Sequence, residues 1–328
     1  MFNISAPGEA VRVAFILVDG FSLVPFVAAS EPMRMANRLL GRVVFDWSLL
    51  THSDAPVRAG NGMEVLPTGA IKTVNTFSNV IVTGGFEPKI VTPRWLSRLL
   101  RTVADSGAVV GALGTGTYHL ARAGLLHDQK ATLHWEYEAG FAREFPDVRV
   151  TRSLFEIGSN RMTCSGGTAA LDMMVHLIAK QVSASLATSV ADTFIHGRIR
   201  SPRDLQKVLL PVGAVQIPVE VNAAVALMQR DVELRISVEK IAREIGVSRR
   251  HLHRLFLQHA GKSPLAFANQ LRLERARSLV LHTGLKFREI AEMSGFGSPA
   301  SFSKAYRQAF GETPREERRK PEIGVTGL

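Results

Sequence analysis

The chain predicts two domains in series: an α/β domain on a mostly parallel sheet with helices on both faces, then an all-α domain. Up to about residue 180, short runs rich in β-branched residues alternate with amphipathic stretches. That alternation is the mark of a parallel sheet covered on both sides. From about residue 183 the strand signal stops and helical spacing takes over. The length, 328 residues, also exceeds the roughly 250 at which a single core stops growing.

The expected strands are "VRVAFILV" (11–18), "VVFDWSLLT" (43–51), "NVIVTGG" (79–85) and "AVVGALG" (108–114). Amphipathic helices are expected over 24–40, 94–106, 116–124 and 134–145, with another from Thr168 to Gln181. "SVADTFIHGRIRSPRDLQK" (189–207) reads as helical and mixed, and "LPVGAVQIP" (210–218), with two prolines and a glycine, as a linker. The boundaries that follow are a disordered start (1–9), the α/β domain (10–182), a helical connector and linker (183–218), the helical domain (219–320) and a disordered tail (321–328).

Composition narrows the function. No apolar run approaches the ~20 residues of a membrane helix, and "MFNISAPGEAVRVAF" lacks the features of a secretion signal. A cytoplasmic protein without a membrane partner is expected. The single cysteine, Cys164, permits no internal disulfide and no cysteine-based metal site. The ten histidines show no HExxH-type spacing, so neither metal nor cofactor is expected. Of the net charge of +11, residues 219–320 hold a surplus of eight, from 19 Lys and Arg against 11 Asp and Glu. A polyanion is the natural partner of such a region.

The helical domain states one pattern twice. In "IAREIGVSRRHLHRLF", Val238, Ile241, Ala242 and Ile245 make one buried helical face. Ser237 caps that helix, Gly246 ends it and Ser248 caps the next. There Leu252, Leu255, Phe256 and His259 repeat the spacing, leaving Arg249, Arg250, His253 and Arg254 outward. Two helices around a glycine turn, the second basic, make a helix-turn-helix suited to a DNA major groove. The second copy matches Ile241 with Ile290 and Gly246 with Gly295 at an offset of 49, then Ser248 with Ser298, Leu252 with Phe302 and Arg254 with Lys304 at 50. One residue inserted in the turn explains the change. A connecting helix of roughly 18 residues spans ~27 Å, so one chain is expected to place two readers in successive major grooves of double-stranded DNA, ~34 Å apart.

"GFGSPASFSKAYRQAFGETP" makes residues 220–320 closely similar to the AraC/XylS family of transcription regulators. The resemblance implies base-reading positions at Arg250, His253 and Arg254 in the first unit and Ala300, Ser303 and Lys304 in the second, flanked by Ser248, Arg249 and Ser298. Arginine grips guanine through paired hydrogen bonds and Ala300 offers only a methyl, so the first unit is expected to supply more of the specificity. The resemblance also implies RNA polymerase as a partner.

The front domain resembles the DJ-1/PfpI branch of the class I glutamine amidotransferase-like fold, and the whole chain resembles the GlxA-type regulators. A flavodoxin-like three-layer sandwich and a homodimer are implied. "FSLVPFVAASEPMRMANRL" and "TCSGGTAALDMMVHLI" look most like members that sense arginine, glycine betaine, carnitine or related amines, which implies an activator of amine catabolism. In enzymes of this fold a cysteine occupies the sharp turn after the strand "VVGAL". That position here is Gly114, which has no side chain, and no base is evident for the adjacent Thr115. No catalytic residue is therefore expected. A vacated pocket would remain, with Glu31 at the position of the family's acidic partner and His134 and Trp135 in a motif common nearby. Phe21, Phe86, Tyr118 and Trp135 are candidates for an aromatic wall that attracts an ammonium group, and Gly85 allows close approach to the backbone. A small amine or amino-acid derivative suits this set. Two alternatives stay open: a hydrolase or glyoxalase joined to a DNA-binding tail, and a ligand-independent DNA-binding protein whose front domain only dimerises.

Overall fold

The apolar run 11–16 forms strand β1 (Val11–Ile16), and its alternate residues feed two different cores, as a strand buried on both faces must. Val13 and Phe15 point to one side, Ala14 and Ile16 to the other. The computed structural model describes residues 2–3, 9–86, 90–202, 204, 206, 218–230 and 237–320. The chain divides into two compact units, the first ending at Gln206 and the second holding the helices from Val219 onward.

In the first unit, α1 (Leu23–Leu40) and β2 (Phe45–Leu50) follow β1. A two-stranded ribbon, β3 (Val57–Arg58) with β4 (Glu64–Val65), precedes β5 (Asn79–Thr83). Then come α2 (Arg94–Asp105), β6 (Val109–Leu113), α3 (Gly116–Arg122), β7 (Lys130–Ala131), α4 (Glu138–Glu144) and β8 (Arg149–Val150). The unit ends with β9 (Phe155–Ile157), β10 (Arg161–Cys164), α5 (Ala169–Gln181) and α6 (Ala184–Thr193). The main sheet runs β2-β1-β5-β6-β10-β9, parallel except for the β9 edge. Phe15, Phe26, Met33 and Met174 fill the core with α1, α5 and α6; Leu96, Leu100, Tyr118 and Phe141 fill the other with α2, α3 and α4. The result is the expected three-layer sandwich.

Four expectations are corrected. The start is not disordered at Phe2, which is buried, or at Asn3, whose N–H donates to Asn79 Oδ1 at 2.7 Å. The helix expected over 134–145 begins only at Glu138, because 134–137 turn instead. Helix α6 stops at Thr193, and 194–202 is ordered non-helical chain. That helix packs on α1 and α5, so it belongs to the sandwich rather than to a connector. The proposed linker (210–218, apart from Pro218) and the tail (321–328) lie outside the described residues. Strands β9 and β10 were not expected; they are short, and β9 stands on the sheet edge.

The second unit is helical throughout its described residues: α7 (Val219–Arg230), α8 (Val238–Glu244), α9 (Arg249–Ala260), α10 (Pro264–His282), α11 (Phe287–Met293), α12 (Pro299–Phe310) and α13 (Pro314–Arg319). Helices α8 and α11 begin and end 49 residues apart, and α9 and α12 begin and end 50 apart. Helix α10 has 19 residues and packs against α9 and α12. The buried carboxylate of Glu317 ties it further, pairing with Arg277 at 2.6 Å and accepting from the Tyr306 hydroxyl.

Candidate functional site

In the second unit, Ser248 and Ser298 cap α9 and α12. Each Oγ accepts from a backbone N–H at 3.1 Å, of His251 and Ser301 respectively. The turns before them hold Gly246 at φ +74° and Gly295 at φ +71°, a conformation that favours glycine. Burial of Leu252, Leu255 and Phe256 on one face of α9 leaves Arg250, His253 and Arg254 exposed on the other. These three line an open groove of about 450 Å³ with Ser248, His251 and Leu257. Arg254 Nη2 donates to His251 Nδ1 at 3.2 Å. Arg249 is also exposed but pairs with Glu239 of α8 at 2.7 Å. On α12, Ala300 and Lys304 are exposed and Ser303 is half-buried. His251 was missed by sequence reasoning, because its spacing puts it at the edge of the buried face.

In the first unit the strand order reverses across β1, which sits between β2 and β5. Open α/β sheets bind ligands beyond the carboxyl ends of the strands at such a point. The turns there are built from glycine. Gly114 has φ +60°, and its N–H donates to the Cys164 carbonyl at 2.9 Å. A Cβ on Gly84 would lie 2.2 Å from the Gly116 nitrogen, and one on Gly85 would lie 2.0 Å from the Gly20 oxygen. Those two glycines are therefore required by chain packing, and Gly85 is not evidence of a ligand's close approach.

Two threonines grip the Gly114 turn. Thr115 is buried and its hydroxyl donates to the Gly85 carbonyl at 2.5 Å, so it is not poised as a nucleophile. Thr117 Oγ1 lies 3.1 Å from the Gly114 carbonyl and 3.0 Å from the Thr132 carbonyl. Just beyond, Phe86 meets His134 edge-on at 4.8 Å between centroids, and Trp135 adjoins His134 at 5.5 Å. Phe86 is exposed and the other two are half-buried, so these three form an accessible aromatic patch. Glu136 N–H donates to His134 Nδ1 at 3.4 Å.

Phe21 and Tyr118 do not join that patch. Phe21 is fully buried and packs edge-on against Phe26. Tyr118 is buried against Phe141, and burial pushes its hydroxyl pKa well above the usual range. Both support the core, because each ring points into an apolar layer. Glu31 stands half-exposed on α1 and accepts two hydrogen bonds from Arg34 Nε, with a third from Nη2 at 2.7 Å. Cys164, 50 residues on from Gly114 in the chain, lies beside the turn, since β10 pairs it with Leu113. It is nevertheless fully buried, and burial pushes its thiol up to about 12. Such a thiol is inert.

A cluster that sequence spacing did not reveal lies on α5. Asp172 is fully buried and accepts from His196 Nε2 at 2.8 Å, from Arg200 N at 2.7 Å and from Arg200 Nη2 at 2.6 Å. Its partners are 24 and 28 residues away, with no periodic signal to join them. Among the described residues, no group of three or more His, Cys, Asp or Glu could hold a metal ion, and no helix is long and apolar enough to cross a membrane.

Comparison with known proteins agrees with both units. The DJ-1/PfpI family matches residues 11–180, and a helix-turn-helix domain family matches 241–320. The chain is 38% identical over 312 residues to the HTH-type transcriptional regulator GbdR of Pseudomonas aeruginosa, covering 95% of this chain and 85% of the relative. It is 38% identical to the regulator CdhR of the same species, covering 93% and 90%. It is 32% identical to the regulator GlxA of Rhizobium meliloti, covering 94% and 96%. Among solved structures, an AraC family transcriptional regulator from Pseudomonas putida matches at a TM-score of 0.51 and 28% identity, covering 56% of this chain and 98% of that one. The chain belongs to the DJ-1/PfpI family and, with its AraC-type helix-turn-helix domain, to the DNA-binding transcriptional regulators that join the two.

Proposed function

We propose that this transcription regulator is a non-catalytic sensor of a small amine or amino-acid derivative, held at the aromatic patch beside the Gly114 turn, and that it activates genes for the compound's breakdown. The carrying observation is Gly114 itself: the left-handed turn of an enzyme-like elbow is kept at φ +60°, with no side chain to attack a substrate. Thr115 is committed to the Gly85 carbonyl and the Cys164 thiol is buried and protonated, so neither replaces the missing nucleophile. Phe86, His134 and Trp135 offer ring faces to an ammonium group. Glu31 would join only by exchanging its Arg34 partner for the ligand's cation. Arg250, His253, Arg254, Ala300, Ser303 and Lys304 are the base-edge candidates, with Ser248, Arg249 and Ser298 beside them. The regulator acts as a cytoplasmic homodimer that engages RNA polymerase at promoters.

Thermal unfolding of the full chain against arginine, glycine betaine, dimethylglycine, sarcosine, carnitine and choline tests the sensor reading. A compound at ~100 times its dissociation constant stabilises the fold by ~2.7 kcal/mol. The expected result is a rise in Tm with one compound that disappears in Phe86→Ala, an exposed position whose loss leaves the core intact. No rise with any compound would favour a front domain that serves dimerisation alone.

A further inference from the structure

We propose that the chain from Phe194 to Pro202, with Asp204 and Gln206, serves as a strap whose far end reads the Gly114 turn, and that the path Gly114–Thr117–Thr132–Gln206 couples that turn to DNA binding. The proposal names the regulation of the site above and so rests on the sensor reading.

The strap has a firm root and a weakly held tip. It leaves α6 through Ile195, an exposed β-branched residue at φ +54°, and is then fastened by His196 and Arg200 to the buried Asp172. Pro202 adds a carbonyl that accepts from Leu154 N–H at 2.9 Å. At the tip, Gln206 Nε2 donates to Thr132 Oγ1 at 2.9 Å and lies 3.0 Å from the Ser153 carbonyl. Its own Oε1 is buried and meets no partner among the described residues. Charge-assisted bonds to a buried carboxylate hold better than one half-satisfied neutral amide, so the tip yields before the root.

Thr132 connects that tip to the turn. Its hydroxyl donates to the Ser153 carbonyl at 2.7 Å while accepting from Gln206, and its N–H donates to Thr163 Oγ1 at 2.9 Å. Its carbonyl competes with that of Gly114 for the single hydroxyl proton of Thr117. Thr117 is fully buried, so no solvent relieves the competition. His134 stands two residues beyond Thr132, against Phe86. A compound wedged against Phe86 and His134, or bonded to the Gly114 carbonyl, shifts the Thr117 proton and the Thr132 backbone together, and with them the seat of Gln206. Release of the tip frees Gln206, the residue at which the first unit ends, and so bears on the chain that leads to the DNA-binding unit. The two strap states provide the bistable element that coupling between two sites requires.

The test uses full-length Gln206→Ala, Thr132→Val and the double variant, with a duplex of roughly 30 base pairs, three helical turns, selected by the wild-type chain from a random pool. With no compound added, each single variant is expected to change affinity for that duplex by about fivefold or more. The double variant should change it no further than Gln206→Ala alone, since both substitutions remove one connection. Trypsin should cut between residues 200 and 208 faster in each variant than in wild type, while Ile199→Ala, on the strap but exposed, should match wild type. Retention of a cooperative thermal transition shows that each variant folds. Affinity within twofold of wild type with unchanged cutting in both single variants overturns the relay, as does simple additivity in the double. A separate arm adds glycine betaine or arginine. A compound that raises Tm in wild type and Gln206→Ala alike, but alters duplex affinity only in wild type, supports the relay. A compound that alters both affinities equally overturns it. No rise in Tm with any compound counts against the sensor reading, and the compound-free comparison still decides the relay.

Discussion

Arg249 and Arg254 are both exposed arginines on one helix, yet the structure separates them. Arg249 is held by Glu239 of the preceding helix, whereas Arg254 stands in the groove with His251 as its neighbour. Arg254→Ala is therefore expected to cost about 1–3 kcal/mol on the preferred duplex and little on random DNA. Arg249→Ala should change either by less than about fivefold, since its charge is already engaged in a surface pair of the kind that contributes about 0–1 kcal/mol. Lys304→Ala should weaken both duplexes alike and lower the salt slope by about one. Fluorescence anisotropy with both duplexes over a salt series reads all three variants. Equal losses on both duplexes for Arg254→Ala would make it a phosphate contact.

At the scale of elements, the two helix-turn-helix units share one construction: a serine cap, a left-handed glycine in the turn and a buried aromatic or leucine face. In the first of them the glycine serves conformation alone, since a Cβ on Gly246 would meet nothing within 4 Å. Gly246→Ala should cost only the left-handed penalty, about 1–2 kcal/mol. Gly84→Ala differs in kind. Its Cβ would strike the Gly116 backbone, so the β5 and β6 turns must separate, and the loss should exceed that of Gly246→Ala severalfold. Urea denaturation of the two variants checks the ranking. A Gly84→Ala variant as stable as Gly246→Ala would contradict the packing of these turns. A similar contact explains why Gly85 looked like a ligand approach in sequence: its spatial neighbour, the Gly20 carbonyl, is distant along the chain and leaves no local trace.

Across the whole molecule, stability should fall with acid in a window set by buried histidine. Burial, and secondarily the Arg122 charge, hold the His119 pKa down to about 4. An unfolded histidine titrates near 6.5, so the unfolded chain binds more protons between those values. The associated stability is complete above about pH 6.5 and is lost as pH falls toward 4, at most about 3 kcal/mol. His282 in the helical unit, lowered to about 4 by burial, acts in the same direction. Calorimetry from pH 7.5 to 4.5 should show falling Tm, with a shallower slope for the first unit in His119→Gln. An unchanged slope would mean that another group sets the acid sensitivity.

Local chemistry was enough to reveal four of the six sheet strands and the two helix-turn-helix units with their serine caps, whereas the interest of Gly114 came from the family resemblance. The strands and units depend on periodicity or on residue type at one position, which a chain carries in order. Strand β10 was hidden because it is only four residues long, with Arg161, Met162, Thr163 and Cys164 giving no clear β-branched run or alternation. The separation of Phe86, His134 and Trp135 from Phe21 and Tyr118 needed the folded chain, since an aromatic ring reads the same whether it faces a core or a cleft. The Asp172 cluster and the Thr132–Gln206 contact likewise came only with the tertiary structure. Buried polar groups must find partners, but which partner, dozens of residues away, depends on how the layers pack.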